Sequence, residues 1–423
     1  MKLQHILFWL VLPLCFVCLF GLRHWALSFS AQPVAIFAQD QDPTPTENSA
    51  PAIGKLTHLY EGWRDTGTPN TQGFSYITLP FVEPDAIQSF ADGVTTLDTT
   101  ADQSESAGYF STSGKGLERT AGYGVRFSVQ VAQESHIRAD RAGFSVLVLS
   151  SQDVSGTLGI ELGFWTNEIW AQEGGEPPQL FTHAEGVTFD TTVMHDYDLM
   201  VLAEQYALYA DGALILTGAL RDYSAFEGQP NPYATPDLVF LGDDTGSAAT
   251  AAKIAAVSYL TNTPPSNRTV QSGEPLRIDD MGVLDLDAGG GNLTVLLHIA
   301  HGTLTLADAA PGGVAATAIQ GNGTRSVTMM GNLGQINNTL AYARADDAGL
   351  IFQDATPVGA SHTLQVELSD NGYSGGDAQV AQTAITITVN ASILTPVPAT
   401  PVPITPIPIT PVQGPIYLPV LRR

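Results

Sequence analysis

The stretch "YALYADGALILTG", residues 206–218, decides the fold. Two apolar runs flank Asp211-Gly212, a dipeptide that supplies the positive φ angles of a two-residue hairpin turn. Tyr206, Leu208, Leu214 and Leu216 fit the buried side of that hairpin. The runs around it carry the same signal. In "YGVRFSVQVAQ" (123–133), Val125, Phe127, Val129 and Val131 alternate with Arg126, Ser128 and Gln130, the period of a half-buried strand. "GFSVLVLSS" (143–151) is more uniformly apolar, as a central strand should be. Short β-branched runs broken by Gly, Pro and Asp recur along the chain, and no long amphipathic helix interrupts them. The sequence therefore predicts an all-β protein.

The 423 residues divide at changes of composition. Met1, Lys2 and His5 precede an apolar run over 6–22, and a second mixed stretch ends near Ala38. Residues 1–38 read as a secretory signal cut near Ala38-Gln39, with an uncleaved membrane anchor as the alternative. "QDQDPTPTENSAPAI" (39–53) reads as a disordered spacer. A β-rich block follows over 54–262, then a Pro-marked linker at 263–268, then a second β-rich block over 269–391. Residues 392–423 form a Pro/Thr-rich stalk and tail, in which "TPVPATPVPITPIPITPV" repeats T-P-[VI]-P-[AI]. Alternate prolines enforce polyproline II, which at ~3.1 Å per residue spans about 55 Å. The end, "IYLPVLRR", has too few apolar residues to cross a bilayer, so no membrane span is expected in the mature chain.

Both cysteines, Cys15 and Cys18, lie inside the signal. A cleaved chain has no disulfide framework and no thiol chemistry, and its stability rests on burial. The formal charge is -25, and loss of Lys2 and Arg23 with the signal takes it to about -27. Such a balance argues against nucleic acid or an anionic membrane as partner, and suits an extracellular protein and divalent cations.

Against this background a resemblance becomes visible. The "YADG" hairpin, a following strand ending in Gly, "LTGALRDYSAF" (216–226) and "LVFLGDDTGSA" (238–248) resemble the concanavalin A-like jelly roll of the laminin-G and bacterial lectin-like families. The resemblance covers about 55–262 and implies a jelly-roll β-sandwich, a fold that hosts lectins, glycoside hydrolases and adhesion modules alike. In the second block, "VLDLDAGGGNLTV", "HGTLTL", "GNLGQINNTLAYA" and "VELSDNGYSGG" are similar to a bacterial cadherin-like repeat. That resemblance implies a smaller Greek-key sandwich of about seven strands over 265–391. It also implies adhesion, with calcium held by Asp285, Asp287 and Asp370. Family calcium sites draw ligands from two neighbouring repeats, and only one copy is present here.

"GIELGFWTNEIWAQE" (159–173) is the candidate ligand site. With Thr166-Asn167 as the turn, Glu161, Gly163, Trp165, Glu168, Trp170 and Gln172 share one face. Ile160, Leu162, Phe164, Ile169 and Ala171 share the other. Two indoles flanked by two carboxylates can stack on and hydrogen-bond to a sugar. The same face also reads as an ordinary hairpin, or as a catalytic pair. For catalysis the spacing is poor, because Glu161 and Glu168 stand about 13 Å apart along the ladder. Retaining glycosidases need ~5 Å and inverting ones ~6.5–9.5 Å. The hydrolases of this fold place E-x-D-x-E on one strand, where this chain has "ELGFW".

Asp243 and Asp244, in "LGDDTGSA", read as a calcium-binding loop or as a turn that caps its own backbone. His183 and His195 lack metal-ligand spacing, and no G-x-S-x-G, H-E-x-x-H or P-loop is present. The expected protein is a secreted or cell-surface, non-catalytic binding protein. Its partner is a carbohydrate or cell-surface glycan, held by Glu161, Trp165, Glu168 and Trp170, with calcium as the candidate cofactor and proteins at the cell surface as further candidate partners. A purely structural stalk protein and a glycoside hydrolase are the alternatives.

Overall fold

A computed structural model describes residues 49–391 except 65, 66, 82, 113, 114, 345, 346, 355–359, 374 and 375. The expected signal (1–38), most of the spacer and the stalk (392–423) lie outside the described residues. The described chain is nearly all β, with one α-helix. Its first block contains β1 (Ala52–Glu61), β2 (Ser75–Leu79), β3 (Ile87–Ala91), β4 (Val94–Asp98), β5 (Ser106–Ser111), β6 (Tyr123–His136), β7 (Phe144–Leu149) and β8 (Gly159–Phe164). It continues with β9 (Glu168–Gln172), β10 (His183–Thr188), β11 (His195–Leu202), β12 (Gln205–Ala210), β13 (Ala213–Ala219), β14 (Val239–Asp243) and β15 (Ala248–Thr261).

These strands make two antiparallel sheets. The first runs β13-β12-β11-β6-β15-β1, with β4 and β3 added beside β15. The second runs β10-β9-β8-β7-β14-β5-β2. Between them lies a core to which the alternating residues of β6 contribute Val125, Phe127, Val129 and Val131, as the sequence predicts. Phe127, Phe144, Phe164 and Tyr197 meet edge-on or stacked at its centre. β7 is central, between β8 and β14, and buried along its whole length.

The 206–218 hairpin forms, with Asp211 at φ 50° and Gly212 at φ 79°. One detail differs. The register slips between Leu208↔Leu216 and Tyr209↔Leu214, which leaves Ile215 as an extra residue. That bulge turns Leu214 to the opposite side of the sheet, where it packs on the second block, while Ile215 takes the sandwich side.

The second block contains β16 (Arg268–Gln271), β17 (Leu276–Ile278), β18 (Met281–Leu284), β19 (Leu293–His298), β20 (Thr303–Leu306), β21 (Ile319–Gln320) and β22 (Ser326–Gly331). After these come α1 (Leu333–Leu340), β23 (Ala343–Arg344), β24 (Asp347–Ala348), β25 (Leu350–Gln353), β26 (Ser361–Ser369) and β27 (Val380–Asn390). β16-β27-β26-β19-β22-β21 form one sheet and β17-β25-β20 another. Ile385, Ile387 and Val389 alternate inward along β27 as expected. Asn332 caps α1 through a reciprocal pair with Gln335.

The two blocks are not separate bodies joined by a linker. β1 pairs with β18 from Ala52↔Leu284 to Lys55↔Met281, so the first sheet crosses into the second block. The expected spacer therefore ends early: its last residues, Ala52 and Ile53, are already strand, because Val283 and Leu284 offer them a ladder. Leu56, Met200, Tyr209 and Leu260 of the first block share one core with Leu333, Ile336 and Leu340 of α1. Fully buried Asn337 donates to and accepts from the backbone of Val283 at 3.0 and 2.7 Å. Arg126 bridges buried Asp198 and, at 2.6 Å, Asn338.

Candidate functional site

The site lies on the outer face of the second sheet, away from the sandwich core. β8 and β9 pair through Leu162↔Ala171, Gly163↔Trp170 and Phe164↔Ile169, and Trp165 N–H donates to Glu168 carbonyl at 2.8 Å. The division of faces is the one the sequence predicts. The fate of the outer face is not. Trp170 is 0% exposed. His183 covers one face of its indole, with ring centroids 4.3 Å apart and planes 15° apart. Trp165 packs edge-on against it at 5.7 Å, and His136 stacks on Trp165 at 4.3 Å and 10°. Trp165 Nε1 donates to Arg141 carbonyl at 2.8 Å. The two indoles thus belong to a ladder of four rings capped by imidazoles, and a fully covered indole has no free face for a sugar.

Glycine makes this ladder possible. A Cβ on Gly163 would stand 2.8 Å from the Trp170 ring, and one on Gly186 would stand 3.0 Å from Trp170 Cβ.

The two glutamates diverge. Glu168 Oε1 lies 3.0 Å from His183 Nε2. Glu161 is buried and points the other way, into a cavity of about 490 Å³. Two loops build one wall of that cavity, the connection from β9 to β10 and the connection from β13 to β14. Phe181 from the first meets Tyr223, Phe226 and Tyr233 from the second, with centroids 5.2–5.9 Å apart. Phe181 adopts φ 61°, a left-handed conformation that aromatic residues rarely take.

The cavity floor is acidic. Tyr233 hydroxyl donates to Glu161 Oε2 at 2.5 Å. Tyr223 hydroxyl donates to the Gln172 carbonyl at 2.9 Å and accepts from Glu161 N–H at 3.1 Å. The Glu161 carboxyl hydrogen-bonds that of Asp244. Burial pushes Glu161 well above the usual carboxylate range and the charge of Asp244 pushes it further; burial also raises Asp244, and the bond from Glu161 opposes that rise. With both carboxyls raised and in contact, the pair is biased toward sharing a proton. Gln172 also lines the cavity, and its Oε1 is buried without a hydrogen-bond partner.

The aspartates expected to bind calcium fall into two places. Asp243 and Asp244 do not form a loop site together. Asp243 is the last residue of β14 and buried. It accepts from Thr99 Oγ1 at 2.7 Å and Thr245 N–H at 3.1 Å, a capping role, while Asp244 belongs to the acid pair. Asp285, Asp287 and Asp370 are brought together, all buried. Asp287 accepts from Ser49 N–H and Oγ at 3.0 and 2.8 Å, and Asp285 Oδ1 from Asp287 N–H at 3.2 Å. Asp285 Oδ2 and Asp370 Oδ2 are buried and unpartnered. Burial and the neighbouring carboxylates push Asp285 up to about 9.

Among the described residues, a third group, Asp85, Asp102 and Glu105, holds its ligand atoms within 4.8 Å of one another. Sequence reading missed this group, because Asp85 lies on a different loop. It also missed Phe181, Phe226 and Tyr233. Their signal is a run of aromatics in Pro- and Gly-rich connections, where nothing in a strand pattern calls for them.

No family model matches the chain and no curated protein is similar to it. Several solved structures resemble it over about half its length. A carbohydrate esterase of the Shiga toxin-encoding bacteriophage phi24B shares 14% identity over 49% of this chain and 100% of its own, with a TM-score of 0.36. The carbohydrate recognition domain of Emp46p, in metal-free form, shares 10% over 48% and 95%, with a TM-score of 0.29. Alginate lyase A1-II′ shares 11% over 51% and 96%, with a TM-score of 0.30. At these values the likeness assigns no residue a role.

Proposed function

We propose that the protein is a non-catalytic, secreted or cell-surface carbohydrate-binding protein, and that its ligand sits in the cavity on the outer face of the second sheet. The observation that carries this reading is the cavity itself: aromatic walls over a floor of acceptors, of which Glu161 and Gln172 are buried. Pyranose rings pair apolar C–H faces with hydroxyl donors, which suits rings above and carboxyls below. The non-catalytic part is supported by geometry. Glu161 and Glu168 diverge, and Glu161 and Asp244 are in hydrogen-bond contact, closer than the ~5 Å that the tighter glycosidase arrangement needs. No helix among the described residues is long and apolar enough to cross a membrane.

The test is binding of the purified chain to a panel of oligosaccharides, with Phe226→Ala and Tyr233→Phe as the cavity variants. Binding that weakens at least tenfold in both supports the reading. Saccharide binding unchanged in both, or hydrolysis of any member of the panel, overturns it.

Calcium is a second element of the proposal, at Asp285, Asp287 and Asp370. The orphan oxygens of Asp285 and Asp370 favour it, since a divalent cation takes carboxylate oxygens and replaces the proton that burial imposes. The three do not all stand within 4.8 Å of one another, so an ion would draw them together.

A further inference from the structure

The floor of the proposed sugar cavity is rich in hydrogen-bond acceptors. Glu161 and Asp244 present carboxyl oxygens. Gln172 is 4% exposed and its Oε1 has no partner. Arg141 is the one cation among the lining residues, and its Nη1 is committed to Phe181 carbonyl at 3.1 Å and to the Asp140 carbonyl, with the Asp140 carboxylate 3.6 Å away. The Tyr233 hydroxyl proton already goes to Glu161. A ligand entering here must bring donors.

The geometry points to an amino sugar as the occupant: a pyranose whose protonated amine sits between the carboxyls of Glu161 and Asp244, beside Gln172 Oε1 and under the rings of Phe181, Phe226 and Tyr233. This rests on the reading of the cavity as a sugar site and names the class of sugar. An ammonium has three N–H donors and no acceptor, and the floor offers three acceptor groups. The aromatic faces attract the cation through their quadrupoles, and the chain's charge of -25 concentrates cations around it. An N-acetylated amine is excluded by the same logic. It is neutral and keeps one N–H where the ammonium brings three, so it leaves acceptors on the floor unmet and forgoes the charge pairing with the carboxyls. Entry of the ammonium replaces the proton held by the carboxyl pair, which leaves to solvent, so binding releases a proton.

The experiment is titration calorimetry of the full chain with four probes: glucosamine tetramer, N-acetylglucosamine tetramer, a neutral glucose tetramer, and spermidine. The glucosamine tetramer is expected to bind at least tenfold more tightly than either neutral sugar. Its apparent enthalpy should shift with the ionisation enthalpy of the buffer, as proton release requires. Asp244→Asn should remove most of that preference, and its thermal melt verifies that it folds. Neutral sugars bound as well as the amine sugar overturn the amino-sugar assignment and leave the sugar cavity standing. Spermidine bound as tightly as the glucosamine tetramer, with neutral sugars unbound, overturns the sugar cavity instead. No binding of any probe overturns both.

Discussion

Trp170 shows how one side chain can satisfy a sequence pattern and still refuse the role the pattern suggests. Its register and face are as the hairpin demands, but His183 and Trp165 close over it, and its Nε1 is left without an acceptor. Its contribution is therefore to packing. Trp170→Ala is expected to lower unfolding free energy by about 3–5 kcal/mol in urea titration, the cost of removing a large core side chain. A loss under about 1 kcal/mol would contradict the ring ladder. Glu161 and Asp244 were each legible as site residues and their pairing was not, because Asp244 lies just past the end of β14, 83 positions on, and reads locally as part of a calcium loop or a turn.

Asp285 gives a prediction of sign. Its folded value of about 9 stands far above the ordinary ~3.9, so the folded state holds a proton the unfolded chain releases. The stability this provides is complete below about pH 4 and is lost as pH rises toward 9. Melting of the calcium-free protein should therefore fall across that window. Asp285→Asn should flatten the fall and raise the melting temperature at pH 8 more than at pH 5. Calcium should do the same for the wild type and not for the variant. A wild-type melt that is flat from pH 5 to 9 would count against the buried acid.

At the scale of elements, the 206–218 hairpin was readable from Asp211-Gly212 alone, and so was its handed turn. Its docking was not. The tip rests on the start of α1, where a Cβ on Gly212 would stand 2.2 Å from Asn332 Oδ1 and one on Gly334 would stand 2.8 Å from Gly212 N. Gly212 is thus required twice, by its φ of 79° and by the cap it touches. Gly212→Ala should destabilise by about 1–3 kcal/mol, more than Gly323→Ala, whose glycine also has positive φ but meets nothing within 4 Å. Equal losses would mean that only the turn matters. The bulge at Ile215 was equally hidden, because alternation counts residues and cannot see where a ladder skips one.

For the whole molecule, composition announced two β-rich blocks, and the Pro-marked stretch between them suggested independence. Local pattern cannot report that β1 and β18 will share a sheet, since that pairing depends on surfaces more than 200 residues apart. The shared core predicts one cooperative unfolding transition of residues 49–391 in calorimetry. A fragment of 269–391 should expose Met281, Leu333 and Ile336 to water and bind a hydrophobic dye. Two separated transitions, or a fragment that melts like the parent, would show that the blocks stand alone.

β1 carries a consequence for biogenesis. It is the first strand of the described chain to leave the ribosome, yet its two neighbours are residues 248–261 and 281–284. Until synthesis has passed both, its N–H and C=O groups have no ladder to join. The nascent N-terminal segment is then a sticky template on either edge, and a holdase that shields it during that interval would decide how much of the protein ends as aggregate.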